Sequence, residues 1–298
     1  MLASAEVISA AERHAPDVMV VDSIVAWCFA LSRARVPMVG MLHQPPGGID
    51  FGPIRTAAQA RLDRLAYRHL ERILVASESL ADELHALGLR STVVPPGRDV
   101  ASAVGPSPGD LRRGRRMAVL CVGNWVERKG ILSLLQAFAA LDADMATLHL
   151  VGRTNLEPAY ARSVWALIRK RELHDRVVVH GPLTVSEVAA LYAAADVFAL
   201  PSLKEPYGTV YGEAMALGLP VVGWRAGNLP YLATHEAEGL LVEPRDVVGL
   251  TLALCRLAED PEFRSRLGEA ARQRALARLT WNEVATVFFG QLRKVIGT

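Results

Sequence analysis

The sequence predicts an α/β protein built on parallel sheets, in two Rossmann-like lobes, and three observations carry that reading. Short runs rich in Val, Ile and Leu alternate with helical stretches along most of the chain. A run that is apolar at nearly every position suits a strand covered on both faces, and strand–helix alternation implies parallel pairing. The alternation halts once, at "RDVASAVGPSPGDLRRGRR" (98–116), and then restarts. A length of 298 residues agrees with two domains of ordinary size.

In chain order, "MLASAEVISAAERHAPD" reads as an amphipathic helix already inside a domain. "DVMVVDS" (17–23) is a buried strand ending in Asp22, "IVAWCFALSRAR" a helix, and "VPMVGMLH" a second strand. After a Pro/Gly loop, a helix over about 54–70 carries Arg61, Arg64 and Arg68 on a basic face. "RILVAS" is a strand, "ESLADELHALG" a helix stopped by Gly88, and "STVVPPG" a strand entering a turn. The halt at 98–116 reads as a linker, with Arg112, Arg113, Arg115 and Arg116 as a solvated face, contact with anionic lipid or substrate being the alternative.

The second half repeats the rhythm. "MAVLCVG", "ATLHLVG", "RVVVHG", "DVFALPS", "LPVVGW" and "GLLVEP" are strands, and the stretches between most of them are helical. Thr184 with Glu187 three residues on is a capping box. Helices fill 246–298, the last beginning at Thr280. The domain boundaries expected are 1–100 for the first lobe, 117–280 for the second, and 281–298 for a terminal helix.

Composition narrows the function. A net charge of +2 points to neither nucleic acid nor membrane. Cys28, Cys121 and Cys255 sit in apolar runs without a CxxC pair, as small buried hydrophobes in a reducing compartment do. No apolar run approaches the ~18 residues of a membrane span, and the N-terminal stretch lacks the basic and long apolar regions of a signal peptide. There is no carboxylate–x–carboxylate pair and no His/Cys cluster at ligand spacing, so no metal site is expected.

Two segments could carry chemistry. "VGNWVERKG" (122–130) joins a strand to a helix, where free N–H groups attract anions, and Lys129 adds a point charge. In "KEPYGTVYGE", Pro206 and Gly208 suit a tight turn into a helix. The first N–H groups of that helix, on Thr209 and Val210, are placed to hold a diphosphate. Glu205 would then lie near whatever the diphosphate carries. Glu213, two turns on, would face a ribose, since a carboxylate accepts hydrogen bonds from paired hydroxyls. Spacing alone equally allows a capping Glu205 and a solvated Glu213.

The ordered set "VGNWVERKG", "LHLVG", "VVVHGPLTVSEVAALYAAADVFALPS", "KEPYGTVYGEAMALGLPVVG", "AGNLPYL" and "EGLLVEPRD" resembles the retaining glycosyltransferases of family 4, also called group 1. Glu205 and Glu213 match that family's E-x7-E motif. The first half fits more loosely, through "PDVMVVDS", "VPMVGMLH" and "HLERILVASESLADEL". The resemblance implies the GT-B fold and transfer of a sugar from a UDP- or GDP-linked donor to a hydroxyl on a glycan, lipid or small molecule. It implies no cofactor beyond that substrate and no nucleic acid. The location implied is cytoplasmic, with peripheral contact at the inner face of the membrane left open. Glu205 and His43 would be the catalytic residues. Gly123, Asn124, Lys129, Tyr207, Gly208, Thr209, Val210 and Glu213 would bind the donor, with Lys129 on the phosphates and Glu213 on the ribose.

This sequence departs from the family in three places. Asn124 stands where an arginine usually pairs with phosphate, and an amide supplies no charge. Tyr231 stands where a glutamate commonly follows the proline. The family also opens with a strand and a Gly-rich loop ahead of a segment like "PDVMVVDS", so the expectation is an incomplete first lobe. A catalytically impaired nucleotide-sugar-binding or scaffolding relative, and a GT-B-type sugar-nucleotide epimerase, are the alternatives.

Overall fold

The computed structural model describes residues 2–31, 33–49, 52–98, 107–170 and 173–297. The Gly/Pro/Ser-rich stretch at 99–106 lies outside the described residues. The chain divides into two compact units, one running to Gly97 and resuming at Leu279, the other Arg98–Arg278.

The first unit runs α1 (Leu2–Glu12), β1 (Met19–Asp22), a short 3-10 turn (Ala26–Phe29), β2 (Met38–Leu42), α2 (Pro53–Tyr67), β3 (Arg72–Val75), α3 (Glu78–Ala86) and β4 (Thr92–Val93). The strands form one parallel sheet in the order β1-β2-β3-β4. Side chains alternate across it as the strand period of two requires. Met38, Leu42, Ile73 and Val75 pack with Tyr67, Leu80 and Leu84. Val39 and Leu74 face the other way, onto Val284, Leu292 and Val295 of the C-terminal helix Trp281–Ile296. Thr280 and Glu283 close a capping box at the start of that helix.

Among its described residues, "IVAWCFALSRAR" forms a 3-10 turn and not the expected helix. The Asp22 carboxylate accepts from the Ile24 N–H at 2.8 Å, an Asx turn that bends the chain directly after β1. The bonds that follow, Cys28 N–H to Val25 O and Ala30 N–H to Trp27 O, span three residues, so the turn stays 3-10.

The second unit runs β5 (Met117–Val122), a 3-10 turn (Glu127–Lys129), α4 (Ile131–Ala139), β6 (Ala146–Val151), α5 (Pro158–Ile168), β7 (Val177–Gly181), α6 (Val185–Ala194), β8 (Val197–Ala199), α7 (Thr209–Ala216), β9 (Val221–Trp224), α8 (Leu229–Leu232), β10 (Gly239–Val242), α9 (Val247–Glu259) and α10 (Pro261–Leu276), with α11 (Trp281–Ile296) returning to the first unit. Its six-stranded parallel sheet has the order β10-β9-β8-β5-β6-β7. β5 lies near its middle, with Met117, Ala118, Val119 and Leu120 wholly buried, as its unbroken apolar run requires. The Thr184–Glu187 capping box forms at the start of α6. The helix in "AGNLPYL", α8, was not anticipated; its Pro230 sits in the first turn, where a missing N–H costs nothing.

Of the arginines expected to be a solvated linker face, Arg113 is exposed, while Arg112, Arg115 and Arg116 are partly exposed but also bond acceptors of the second unit. Arg112 bonds both oxygens of Asp196, at 2.8 and 2.5 Å, and Asp196 also accepts from the Ala118 N–H on β5. Arg116 bonds Asp144, and Arg115 donates to the Ala143 carbonyl. Leu111, directly before them, is buried. Each of these planar guanidinium groups finds an acceptor at a strand or loop end, so the segment docks on the sheet.

Leu111 also receives a buried imidazole. His149, on β6, has Nε2 2.9 Å from the Leu111 carbonyl and Nδ1 3.0 Å from Nε2 of His180 on β7. Burial pushes His149 below the ordinary imidazole range, against the pull of the Leu111 carbonyl, and the His180 and Arg113 charges add to the depression. A folded-state value below the unfolded one means that the unfolded chain binds the extra proton first. Stability is therefore expected to fall as pH drops below about 6.5, the ordinary histidine value. Urea midpoints from pH 7.5 to 5.5 should decline more steeply for the natural protein than for His149→Gln. Equal slopes would assign the effect to other groups.

Candidate functional site

β5 and β8 are neighbours, and the chain departs from them in opposite directions, to β6 and β7 on one side and to β9 and β10 on the other. At such a switch point the loops leaving the carboxyl ends of the two strands part, and the gap between them is where open α/β sheets bind ligands. Both segments singled out from the sequence leave this point: 122–130 follows β5, and the stretch to Gly208 follows β8.

The first loop is shaped by glycine and held by its partner. Gly130 ends the 3-10 turn with φ +70° and begins α4. A Cβ there would lie 2.1 Å from the Pro201 carbonyl oxygen, so only glycine allows the two loops to approach this closely. The Leu203 N–H and the Ser202 hydroxyl both donate to the Arg128 carbonyl, at 2.8 and 3.2 Å, and Arg128 Nη1 reaches the Lys204 carbonyl. Lys129 follows at once, its side chain passing Gly123, where a Cβ would sit 3.7 Å from Cδ. Its ammonium makes an ion pair with the Glu205 carboxylate. The two side chains are 12% and 13% exposed, so the pair is shielded but open to a ligand.

Beneath the second loop lies "AGNLPYL". Gly227 approaches so closely that a Cβ would meet both the N and O of Glu205 at 2.8 Å. Asn228 is fully buried; its N–H donates to the Glu205 carbonyl and its Nδ2 to the Tyr207 carbonyl, each at 2.9 Å. Those bonds fix the turn Glu205–Gly208. Gly208, at φ +84°, is the N-cap of α7 and offers no side chain to the helix end. The N–H groups of Thr209 and Val210 are therefore the first of the helix, the position that lacks intrahelical acceptors. The Arg278 guanidinium lies 5.3 Å from the Tyr207 ring centroid.

Glu213 lies on α7, and its Oε2 accepts from the Tyr192 hydroxyl at 3.2 Å. Burial, then the Glu213 charge, raises Tyr192 far above the usual phenol range and keeps it a donor. Tyr211, buried behind Glu205, is raised likewise and donates to the Leu200 carbonyl. Cys121, at the end of β5, is pushed up to about 12 by burial, against the Lys129 charge, and is inert as a nucleophile.

The sequence-derived residues thus fall into three sets. Gly123, Lys129, Glu205, Tyr207, Gly208, Thr209 and Val210 share the switch point, with Glu213 along α7. Asn124 adjoins them, but its Oδ1 accepts from the Arg153 N–H at 3.0 Å and serves the loop itself. His43 belongs to the first unit, just past β2, where its Nε2 is 3.4 Å from Asp22 Oδ2 and its N–H donates to the Ser23 hydroxyl. Sequence reasoning missed the Lys129–Glu205 contact, the Tyr192–Glu213 bond and Asn228. Only Asn228 left a trace, as a polar residue directly after a glycine in an otherwise apolar stretch. Among the described residues, no group of three or more His, Cys, Asp or Glu is arranged to hold a metal ion. No helix among them is long and apolar enough to cross a membrane.

Comparison with known proteins bears on the same loops. The family model for glycosyl transferases group 1 matches residues 110–274, and that for glycosyltransferase family 4 matches residues 1–102. A D-inositol 3-phosphate glycosyltransferase of Xylanimonas cellulosilytica is 34% identical over 66% of this chain and 49% of its own length. An MMP alpha-(1->4)-mannosyltransferase of Mycolicibacterium hassiacum is 35% identical over 78% of this chain and 56% of its own. The chain therefore spans about half the length of these curated relatives. Sucrose-phosphate synthase from Thermosynechococcus elongatus superposes with a TM-score of 0.83 at 24% identity, over 98% of this chain and 77% of that one. Anabaena HepE in complex with UDP-glucose superposes with a TM-score of 0.82 at 24% identity, over 98% and 82%. These likenesses establish the GT-B fold. A family match over more than half of the sequence, centred on the loops that hold Lys129 and Glu205, makes the chain a member of the group 1 glycosyl transferases.

Proposed function

We propose that the second unit binds a nucleotide-sugar and that the protein transfers the sugar to a hydroxyl group with retention of anomeric configuration. The observation that carries this reading is the meeting of Lys129 and Glu205 at the switch point, one turn ahead of the bare N-terminus of α7. A diphosphate placed there would meet Lys129 on one side and the Thr209 and Val210 N–H groups on the other. As the bond from the anomeric carbon to the diphosphate breaks, negative charge grows on the leaving oxygen, and these groups neutralise it. Glu205 would take hydroxyls of the transferred sugar, and Glu213, steadied by Tyr192, the ribose. HepE, with UDP-glucose bound, supports a uridine or related donor. His43, beside Asp22, is the candidate contribution of the first unit to catalysis. The acceptor is a hydroxyl on a glycan, lipid or small molecule.

Calorimetry of the full chain with UDP, GDP, UDP-glucose and GDP-mannose tests the reading; absence of binding by all four would refute it. The two glutamates should then separate. Glu213→Gln is expected to weaken binding of nucleotide, with or without sugar, by about 1 kcal/mol or more, the scale of a lost charged hydrogen bond. Glu205→Gln should instead reduce turnover of bound donor, because its site is where charge develops. Equal losses of nucleoside diphosphate affinity in both variants would show the roles to be wrongly divided.

A further inference from the structure

We propose that the Lys129–Glu205 ion pair is an exchangeable latch: it opens for a nucleotide that carries a sugar and, by closing, drives off the nucleotide that has lost it. The proposal rests on the donor-site reading above and concerns the discrimination between substrate and spent product at that site.

The pair joins two loops that are otherwise fixed. Backbone bonds at Arg128, Leu203 and Asn228 hold both, so opening the pair requires movement of two side chains and no rearrangement of the chain. Each side chain is nearly nine-tenths covered. A charge left without a partner in such surroundings is costly, because desolvation is no longer offset. A diphosphate entering the site attracts the Lys129 ammonium, and Glu205 is then stranded. Its side chain is only 13% exposed, near enough to the buried Tyr211 for its charge to act on that phenol, and Gly227 is pressed against its backbone. An anionic diphosphate cannot relieve it, since both groups are acceptors and both are negative. Hydroxyl groups can: a sugar attached to the diphosphate presents O–H donors to the carboxylate that Lys129 has released.

Two ligands that share one nucleotide therefore differ in what they leave behind. The sugar-bearing form satisfies both members of the opened pair. The bare nucleoside diphosphate satisfies Lys129 alone, and re-forming the ion pair competes with it. The same pair that admits substrate thus weakens the hold on product, which matters where product release limits turnover.

The test compares UDP with UDP-glucose, and GDP with GDP-mannose, on the full chain by calorimetry, in the natural protein, in Glu205→Gln and in Glu205→Asp. Glutamine keeps the shape but removes the charge, so Lys129 is free and no carboxylate is stranded. The bare nucleoside diphosphate should bind about tenfold tighter than to the natural protein, given the penalty for an unpaired buried charge. The preference for the sugar-bearing form should shrink or reverse. Aspartate retracts the carboxylate by one methylene and should move both quantities in the same direction by less. It decides the matter if the glutamine variant fails to fold, which thermal unfolding reports. Nucleoside diphosphate affinity that is unchanged or weaker in the folded variants overturns the latch while leaving the donor site intact. If the natural protein binds none of the four ligands, the donor-site reading falls and the latch with it.

Discussion

Nucleotide binding should weaken by about 1.5–3 kcal/mol, roughly ten- to a hundredfold, when Lys129 is replaced by alanine, the scale of a charge-assisted hydrogen bond to phosphate. The side chain brings a full positive charge to the β5–β8 switch point, where Asn124 is neutral and already bonded to the Arg153 N–H. The helix N–H groups of Thr209 and Val210 would still face the diphosphate, but such partial charges contribute less than a full one. Removal of Lys129 also leaves Glu205 without its partner, so the negative carboxylate would repel the incoming anion. Calorimetry with UDP and GDP measures the loss. Undiminished affinity for whichever nucleotide the natural protein binds would place the phosphates elsewhere.

Gly130→Ala should cost about 2–5 kcal/mol of folding stability and disable donor binding together. Two penalties combine: a left-handed backbone on a residue with a Cβ, and a clash with a backbone oxygen that cannot swing aside. At φ +70° the new Cβ would lie 2.1 Å from the Pro201 carbonyl oxygen. Relief requires the β5 loop to move away from the β8 loop, which parts Lys129 from Glu205. Gly88→Ala provides the control, since Gly88 has φ +74° but no atom within 4 Å of an added Cβ. It should show only the conformational cost of about 1–2 kcal/mol. Urea unfolding of the two variants reads the difference. Similar midpoints would mean that the loops yield without cost.

The strand–helix order was legible because a run such as "MAVLCV" has no polar face, and a strand without one must be covered on both sides. The capping box at Thr184 and the helix start at Thr280 are legible because such signals are local in sequence; the box that Thr280 forms with Glu283 is seen only in the structure. The stretch 24–35 was misread, since its composition is helical while the Asx turn at Asp22 acts on geometry that composition does not encode. Arg112, Arg115 and Arg116 read as a solvated face in the sequence because their acceptors, Asp196, the Ala143 carbonyl and Asp144, are 28 to 84 residues away.

The same division runs through the candidate site. From the sequence alone came the two loops, Lys129, the Glu205 and Glu213 pair, and the helix start at Thr209, because each is a local pattern of turn, charge and spacing. Only the tertiary structure decided that Lys129 and Glu205, 76 residues apart, would touch. It also decided that Asn228 would be buried beneath the turn between Glu205 and Gly208. The physical reason is strand order: β8 returns to lie beside β5, not beside β7. That placement brings two distant loops to one point, where the glycines at 130 and 227 allow the backbones to close and the opposite charges to meet.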